Sequence, residues 1–301
     1  PMQIPGSWKA SSQGNYNAGA IKTDGTLWTW GSNDQGGLGH NQAPSPTTTK
    51  SSPKQVGTET TWKAIHMDNG RAVATKTDGT LWVWGNTQSG RGGNNMQPSA
   101  PRFSSPCQVG EDTDWGDKVG GAWSTSFAFK NDGTVWIWGS NENGELGQNQ
   151  GYGYLNAASS PIQLQAGSPR KWRKIEGGYT NYYIGVKNDD TLYTWGRGDM
   201  GNYGNLGLNQ SNTQRSTPTQ IPGTNWSDCS AGANQCSAIK TDGTLWSWGY
   251  NANGMMGVNI AQNAGLQSAS SPMLSSRSSM QESFPLGFEP SREAPEAPPT
   301  W

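Results

Sequence analysis

The chain has 301 residues, of which 21 are basic and 22 acidic, giving a net charge of −1 with only 14% charged and 31% hydrophobic residues. That balance excludes the clustered basic excess with which proteins neutralise many phosphates, so no nucleic-acid partner is expected. No apolar run reaches the ~20 residues of a membrane-spanning helix. The first unit opens on Pro1-Met-Gln-Ile4, followed by Trp8 and a Gly-containing variable stretch that ends in Ala20-Ile21-Lys22. Asp24-Gly25-Thr26 comes next, then Leu27-Trp28-Thr29-Trp30-Gly31. Asp-Gly between two β-type runs is a hairpin signal, because both residues tolerate positive φ. Leu-Trp-x-Trp alternates, so Leu27 and Thr29 face one side while Trp28 and Trp30 face the other. A turn-rich loop, Ser32 to Gly39, closes the unit, and Pro53-Lys-Gln-Val56 with Trp62 opens the second.

The same phrase returns at Lys76 to Gly85, Lys130 to Gly139, Lys187 to Gly196 and Lys240 to Gly249. Its closing glycines stand 54, 54, 57 and 53 residues apart. A period of that size, filled with strand and turn residues and free of helical periodicity, marks a stacked or circular β-array. Each unit predicts four short strands, which is one propeller blade. Fourteen of the 16 tryptophans fall on repeat positions and are assigned to packing. Large rings offset the scarce aliphatics, each burying roughly 150–250 Å².

Asp-Gly-Thr-Leu-Trp-Thr-Trp-Gly-Ser-Asn-x-x-Gly-x-Leu-Gly resembles the regulator of chromosome condensation repeat, in the Trp-rich form of bacterial and phage proteins. The resemblance covers residues 1 to about 272 and implies an all-β β-propeller, as a rule of seven blades in this family. This chain shows five units. The fourth departs from the pattern, with Asp189-Asp190-Thr191 and Tyr193 in place of the glycine and the first Trp. Pro1 to Trp8 matches Pro218 to Trp226, so the N-terminal strand is predicted to complete the last of five four-stranded blades and to cover an open edge. The alternative is an open arc, or part of a larger ring. Residues 273–301, rich in Ser, Pro and Glu with Phe284, Leu286, Phe288 and Trp301, are predicted to be an irregular tail.

In family members the variable stretch lies at one rim of the propeller and often holds a His. The corresponding residues here are Asn17, Arg71, Thr125, Tyr182 and Gln235, with Tyr16, Asn69, Trp123, Asn181 and Asn234 beside them. Equivalent loops of every blade converge on one face, and Tyr, Trp and Arg dominate binding energy at interfaces. These ten residues are the predicted binding rim. The competing reading is that loops of a repeat drift because nothing packs on them.

Other constellations carry less. His40 and His66 occupy non-equivalent positions without an acid or nucleophile partner in sequence, and the repeat aspartates are turn residues. No enzyme activity, cofactor or metal is expected; the Asn33-Asp34 and Asn141-Glu142-Asn143 loops lack the acidic ladder of a calcium site. Cys107, Cys229 and Cys236 form no disulfide framework. Arg197-Gly198-Asp199 and the sequons at Asn209 and Asn225 are short enough to arise by chance. The Gly-Trp-Arg-His-Thr motif of the photoreceptor branch of this family is absent. A protein partner is expected, with glycan binding or a structural role in a larger assembly as the alternatives. The composition weakly favours an extracellular or virion surface.

Overall fold

The computed structural model describes residues 2–95, 102–150, 157–165, 171–198, 204–209, 214–251, 254–257 and 268–274. Twenty strands form five antiparallel four-stranded sheets. The first holds β1 (Trp8–Gln13), β2 (Asn17–Lys22), β3 (Leu27–Gly31) and β4 (Lys50–Gln55), and the second β5 (Trp62–Asp68), β6 (Arg71–Lys76), β7 (Leu81–Gly85) and β8 (Phe103–Gln108). The third holds β9 (Trp115–Ala122), β10 (Thr125–Lys130), β11 (Val135–Gly139) and β12 (Ala158–Gln163). The fourth holds β13 (Trp172–Gly178), β14 (Tyr182–Lys187), β15 (Leu192–Gly196) and β16 (Arg215–Ile221). The fifth holds β17 (Trp226–Ala231), β18 (Gln235–Lys240), β19 (Leu245–Tyr250) and β20 (Ser268–Leu274). Each is an up-and-down meander in sequence order, as in a propeller blade.

The hairpin chemistry repeats as the sequence implies. Asp24 Oδ1 accepts from the Thr26 backbone N–H at 2.9 Å and from Thr26 Oγ1 at 2.7 Å, and Thr26 Oγ1 accepts from Trp28 Nε1 at 2.8 Å. Asp78, Asp132 and Asp242 make the same turn, and their bonds to the following Thr hold their carboxyls below the usual range. In the fourth unit Asp190 takes the glycine's place at φ 62°. The repeat lysine lies between two rings: Lys76 Nζ is 3.6 Å from the Trp82 centroid and 4.8 Å from that of Trp62. Lys22, Lys130, Lys187 and Lys240 lie between equivalent pairs, with Tyr193 replacing one Trp.

Both faces of an interior sheet are covered, so the apolar cores lie between sheets rather than within one. Four clusters result. Ile21, Leu27 and Val56 of the first unit meet Trp62, Met67 and Trp84 of the second. Leu81, Val83 and Val109 meet Trp115 and Trp138; Phe129, Val135 and Ile137 meet Trp172 and Trp195; Ile184, Val186 and Leu192 meet Trp226 and Trp248.

The expected closure by the N-terminal strand is not seen. Residues 2–7 carry no strand, Met2 is 98% exposed, and β20 of the fifth unit itself fills the fourth place in the last sheet. The aromatic residues expected in the tail, and Asp199 of the Arg-Gly-Asp triplet, lie outside the described residues. Cys229 and Cys236 are free and buried on neighbouring strands.

Candidate functional site

The innermost strands of all five sheets wall one central channel of about 720 Å³, from Ala10 on β1 round to Asp228 on β17. Several of its charged side chains have partners. Lys174 reaches Asp228 at 2.9 Å and Glu176 at 3.4 Å, and Lys118 Nζ donates to the Arg173 carbonyl at 2.8 Å. Burial opposes the charge on Lys174, but the Asp228 bond and the Glu176 charge outweigh it and raise its pKa.

His66 sits in the channel wall, where burial lowers its pKa to about 4 against the opposing pull of Asp68. It is therefore neutral at pH 7. Its stabilising contribution is complete above the unfolded value of about 6.5 and is lost as pH falls from there towards about 4, because only the unfolded chain takes up the proton. Wild type is expected to lose about 1–3 kcal/mol more than His66→Gln over that window. Denaturant midpoints of both proteins across the same pH range measure the difference.

The inner hairpin loops, Gly14–Tyr16, Asn69–Gly70, Trp123–Ser124, Tyr179–Asn181 and Gly232–Asn234, rim one mouth of this channel. The ten predicted rim residues divide into two sets. Tyr16 is 78% exposed, and Asn69, Trp123, Asn181, Asn234 and Gln235 are partly exposed. Asn17, Arg71, Thr125 and Tyr182 are buried, which corrects the expectation that they face a partner.

The buried set joins neighbouring sheets. Arg71 Nη2 donates to the carbonyls of Ala122 at 3.1 Å and Thr125 at 2.9 Å, and pairs with Asp68 at 2.7 Å. Tyr182 OH donates to the carbonyls of Gly232 at 3.0 Å and Gln235 at 2.9 Å. The Thr125 hydroxyl shares a hydrogen bond with that of Tyr183. Asn17 lies in the first joint, with its side-chain amide buried and unpaired. Asn181 also works across a joint, accepting at Oδ1 from Ser124 N at 3.0 Å and Ser124 Oγ at 2.9 Å.

One rim residue escaped the sequence reading. Tyr179, 46% exposed, packs edge-on against Trp123 at 4.7 Å between ring centroids. Its hydroxyl accepts from Asn15 Nδ2 at 3.5 Å, next to Tyr16. Aromatic side chains from the first, third and fourth sheets thus gather at one mouth. The only signal for Tyr179 was an aromatic residue two places before Asn181.

Elsewhere, His40 Nε2 lies 3.0 Å from Thr29 Oγ1 and 3.2 Å from the Lys54 carbonyl, bracing the loop that follows β3. No group of three or more His, Cys, Asp or Glu residues suited to a metal ion occurs among the described residues.

The family model described as the "Regulator of chromosome condensation (RCC1) repeat" matches residues 24–71, 132–181 and 189–239, each match spanning from one Asp-rich hairpin into the next unit. The chain belongs to the RCC1 repeat family. It is an RCC1-like β-propeller, and propellers of this family are protein-interaction modules. Human E3 ubiquitin-protein ligase HERC2 is 25% identical over 250 residues, covering 80% of this chain but only 5% of the ligase. Among solved structures, human WBSCR16 superposes with a TM-score of 0.75 at 17% identity, over 91% of this chain and 67% of that one. Prp20p from Saccharomyces cerevisiae gives a TM-score of 0.54 at 15% identity, over 91% of this RCC1-repeat chain and 78% of its own. No helix among the described residues is long and apolar enough to cross a membrane.

Proposed function

We propose that this RCC1-repeat chain is a non-enzymatic module that binds a protein through the channel-mouth rim. The observation that carries this reading is the gathering of Tyr16, Trp123 and Tyr179 at that mouth, the last two on loops that buried Arg71 and Tyr182 fasten to neighbouring sheets. Rigid aromatic anchors bind at low entropic cost, and preorganised loops reduce it further. Asn69, Asn181, Asn234 and Gln235 surround them with amide donors and acceptors. Prp20p, with its binding properties to Gsp1p and histones, supports a protein as the class of partner. No contact residue is carried over from it, since likeness at this identity concerns the fold alone.

The test is affinity capture from a cell lysate with the intact chain and with the Tyr16→Ala, Trp123→Ala, Tyr179→Ala triple variant. A partner held by the first is expected to be lost by the second, with a fall in affinity of at least about 100-fold, since anchors of this kind each contribute about 2 kcal/mol or more. Equal capture by both proteins contradicts the rim. The exposed rings also favour a second reading, stacking on sugar rings in an adhesive role at a cell or virion surface. A glycan array separates the two: a specific profile lost in the triple variant supports the glycan reading, and a flat profile counts against it.

A further inference from the structure

The first joint between sheets is closed differently from the second and the fourth. In the second, Arg71 donates to the carbonyls of Ala122 and Thr125, the last residue of β9 and the first of β10. In the fourth, Tyr182 donates to the carbonyls of Gly232 and Gln235. Asn17 holds the same place in the first joint, paired with Gly31 as Arg71 is with Gly85. The equivalent carbonyls across that joint are those of Asp68 and Arg71, the last residue of β5 and the first of β6. The shorter Asn17 side chain reaches neither: it is buried, and its Nδ2 and Oδ1 are both without a partner. A buried amide in that state costs stability, and its presence in a folded joint calls for a reason.

Asn17 lines a cavity of about 140 Å³ at the rim, between the first and second sheets. A water takes up about 30 Å³, so the cavity holds roughly four heavy atoms, the number in a guanidinium group. Gln35, on the loop after β3, lines it from the other side. That side chain lies against Gly70, where a β-carbon would stand 2.4 Å from Gln35 Cβ, and its Oε1 is buried without a partner. Asp34 beside it is exposed, and Arg102 Nη1 donates at 3.3 Å to the Asp34 carbonyl rather than to its carboxylate. Tyr16, the most exposed of the rim residues, lines the same cavity.

We propose, resting on the reading that a protein binds at the rim, that this cavity receives the guanidinium of an arginine of that protein. Of its buried unpaired atoms two are oxygens, Asn17 Oδ1 and Gln35 Oε1, against one N–H donor, Asn17 Nδ2. The Asp34 carboxylate adds a full negative charge, which a neutral side chain would leave unmet. These acceptors sit on three different residues, an arrangement that suits the planar five-donor fork of arginine better than a point-like ammonium. The Tyr16 ring offers a face on which a guanidinium stacks. The second joint already holds a guanidinium in the equivalent place, that of Arg71.

Titration of the full chain with N-acetyl-arginine amide, followed by NMR of the side-chain amides, tests this, with the uncharged N-acetyl-citrulline amide as control. Saturable shifts are expected at Asn17 and Gln35 with the arginine probe and not with citrulline. Asn17→Leu should weaken the probe at least about tenfold, the loss of one charge-assisted hydrogen bond. Asp34→Asn, at an exposed position, should weaken it about two- to fivefold. A partner captured at the rim should also bind Asn17→Leu at least about tenfold more weakly. If Asn17→Leu fails to fold by circular dichroism, Gln35→Leu takes its place. Absence of saturable shifts, equal shifts with citrulline, or unchanged partner binding in the folded variant overturns the proposal. Failure of the rim reading is told apart by Trp123→Ala, Tyr179→Ala: capture that ignores this pair removes the rim, while the arginine titration reads the cavity alone.

Discussion

Replacing Trp84 with alanine is expected to destabilise the fold by about 3–5 kcal/mol, among the largest effects available to a single substitution here. The ring is fully buried between the first and second sheets, 5.9 Å from Trp62, and its indole N–H holds the Gly37 carbonyl. Removing it opens a cavity in a joint that cannot collapse, because the backbones on both sides belong to separate sheets held by their own ladders. The same change at Trp30, in the same repeat position but only half-buried, should cost less, at about 1 kcal/mol. Urea unfolding followed by circular dichroism compares the two; equal losses would mean that the joints are not the stabilising units.

The second large effect is expected at Arg71. Alanine there leaves Asp68 Oδ2 and the carbonyls of Ala122 and Thr125 without the Nη2 donor in a buried site. Breaking a buried pair by removing one partner costs about 3–5 kcal/mol. Part of this is offset at Arg91, whose pKa burial and then the Arg71 charge lower to about 10, since the alanine variant relieves that repulsion. The net loss is expected near the lower end of the range, at about 3 kcal/mol. All three contacts are made by Nη2, with Nε and Nη1 buried and unpaired, so Arg71→Lys, whose ammonium also carries three N–H donors, should recover part of it, limited by the shorter reach of Nζ. A lysine variant as unstable as the alanine variant would show that an ammonium cannot take the place of Nη2 in the joint.

The hairpins and the Trp pattern were legible from the chain because their chemistry is local. Asp24, Thr26 and Trp28 hydrogen-bond within five residues of one another, so the motif carries its own geometry. The rim was only half legible. Asn17, Arg71, Thr125, Tyr182 and Gln235 vary in type, and that variation resembles the drift of an unpacked loop. Arg71 and Tyr182 nevertheless do one job: each donates to two backbone carbonyls of the next sheet, and carbonyls accept from any donor of suitable length. A position whose partner is backbone can change its side chain without changing its role. The N-terminal expectation failed for a related reason. Pro1 to Ile4 does match Pro218 to Ile221, but a strand's place in a sheet depends on which edge is free, and β20 already occupies that edge.

Photo-cross-linking tests the binding rim most directly. A photoreactive p-benzoylphenylalanine in place of Tyr179, and in a second protein in place of Thr241 at the exposed hairpin tip of the opposite end, is irradiated in lysate. A discrete protein adduct from position 179 and none from 241 is the predicted result. An adduct from 241 with none from 179 would place the interaction surface at the other end of the propeller and contradict the account.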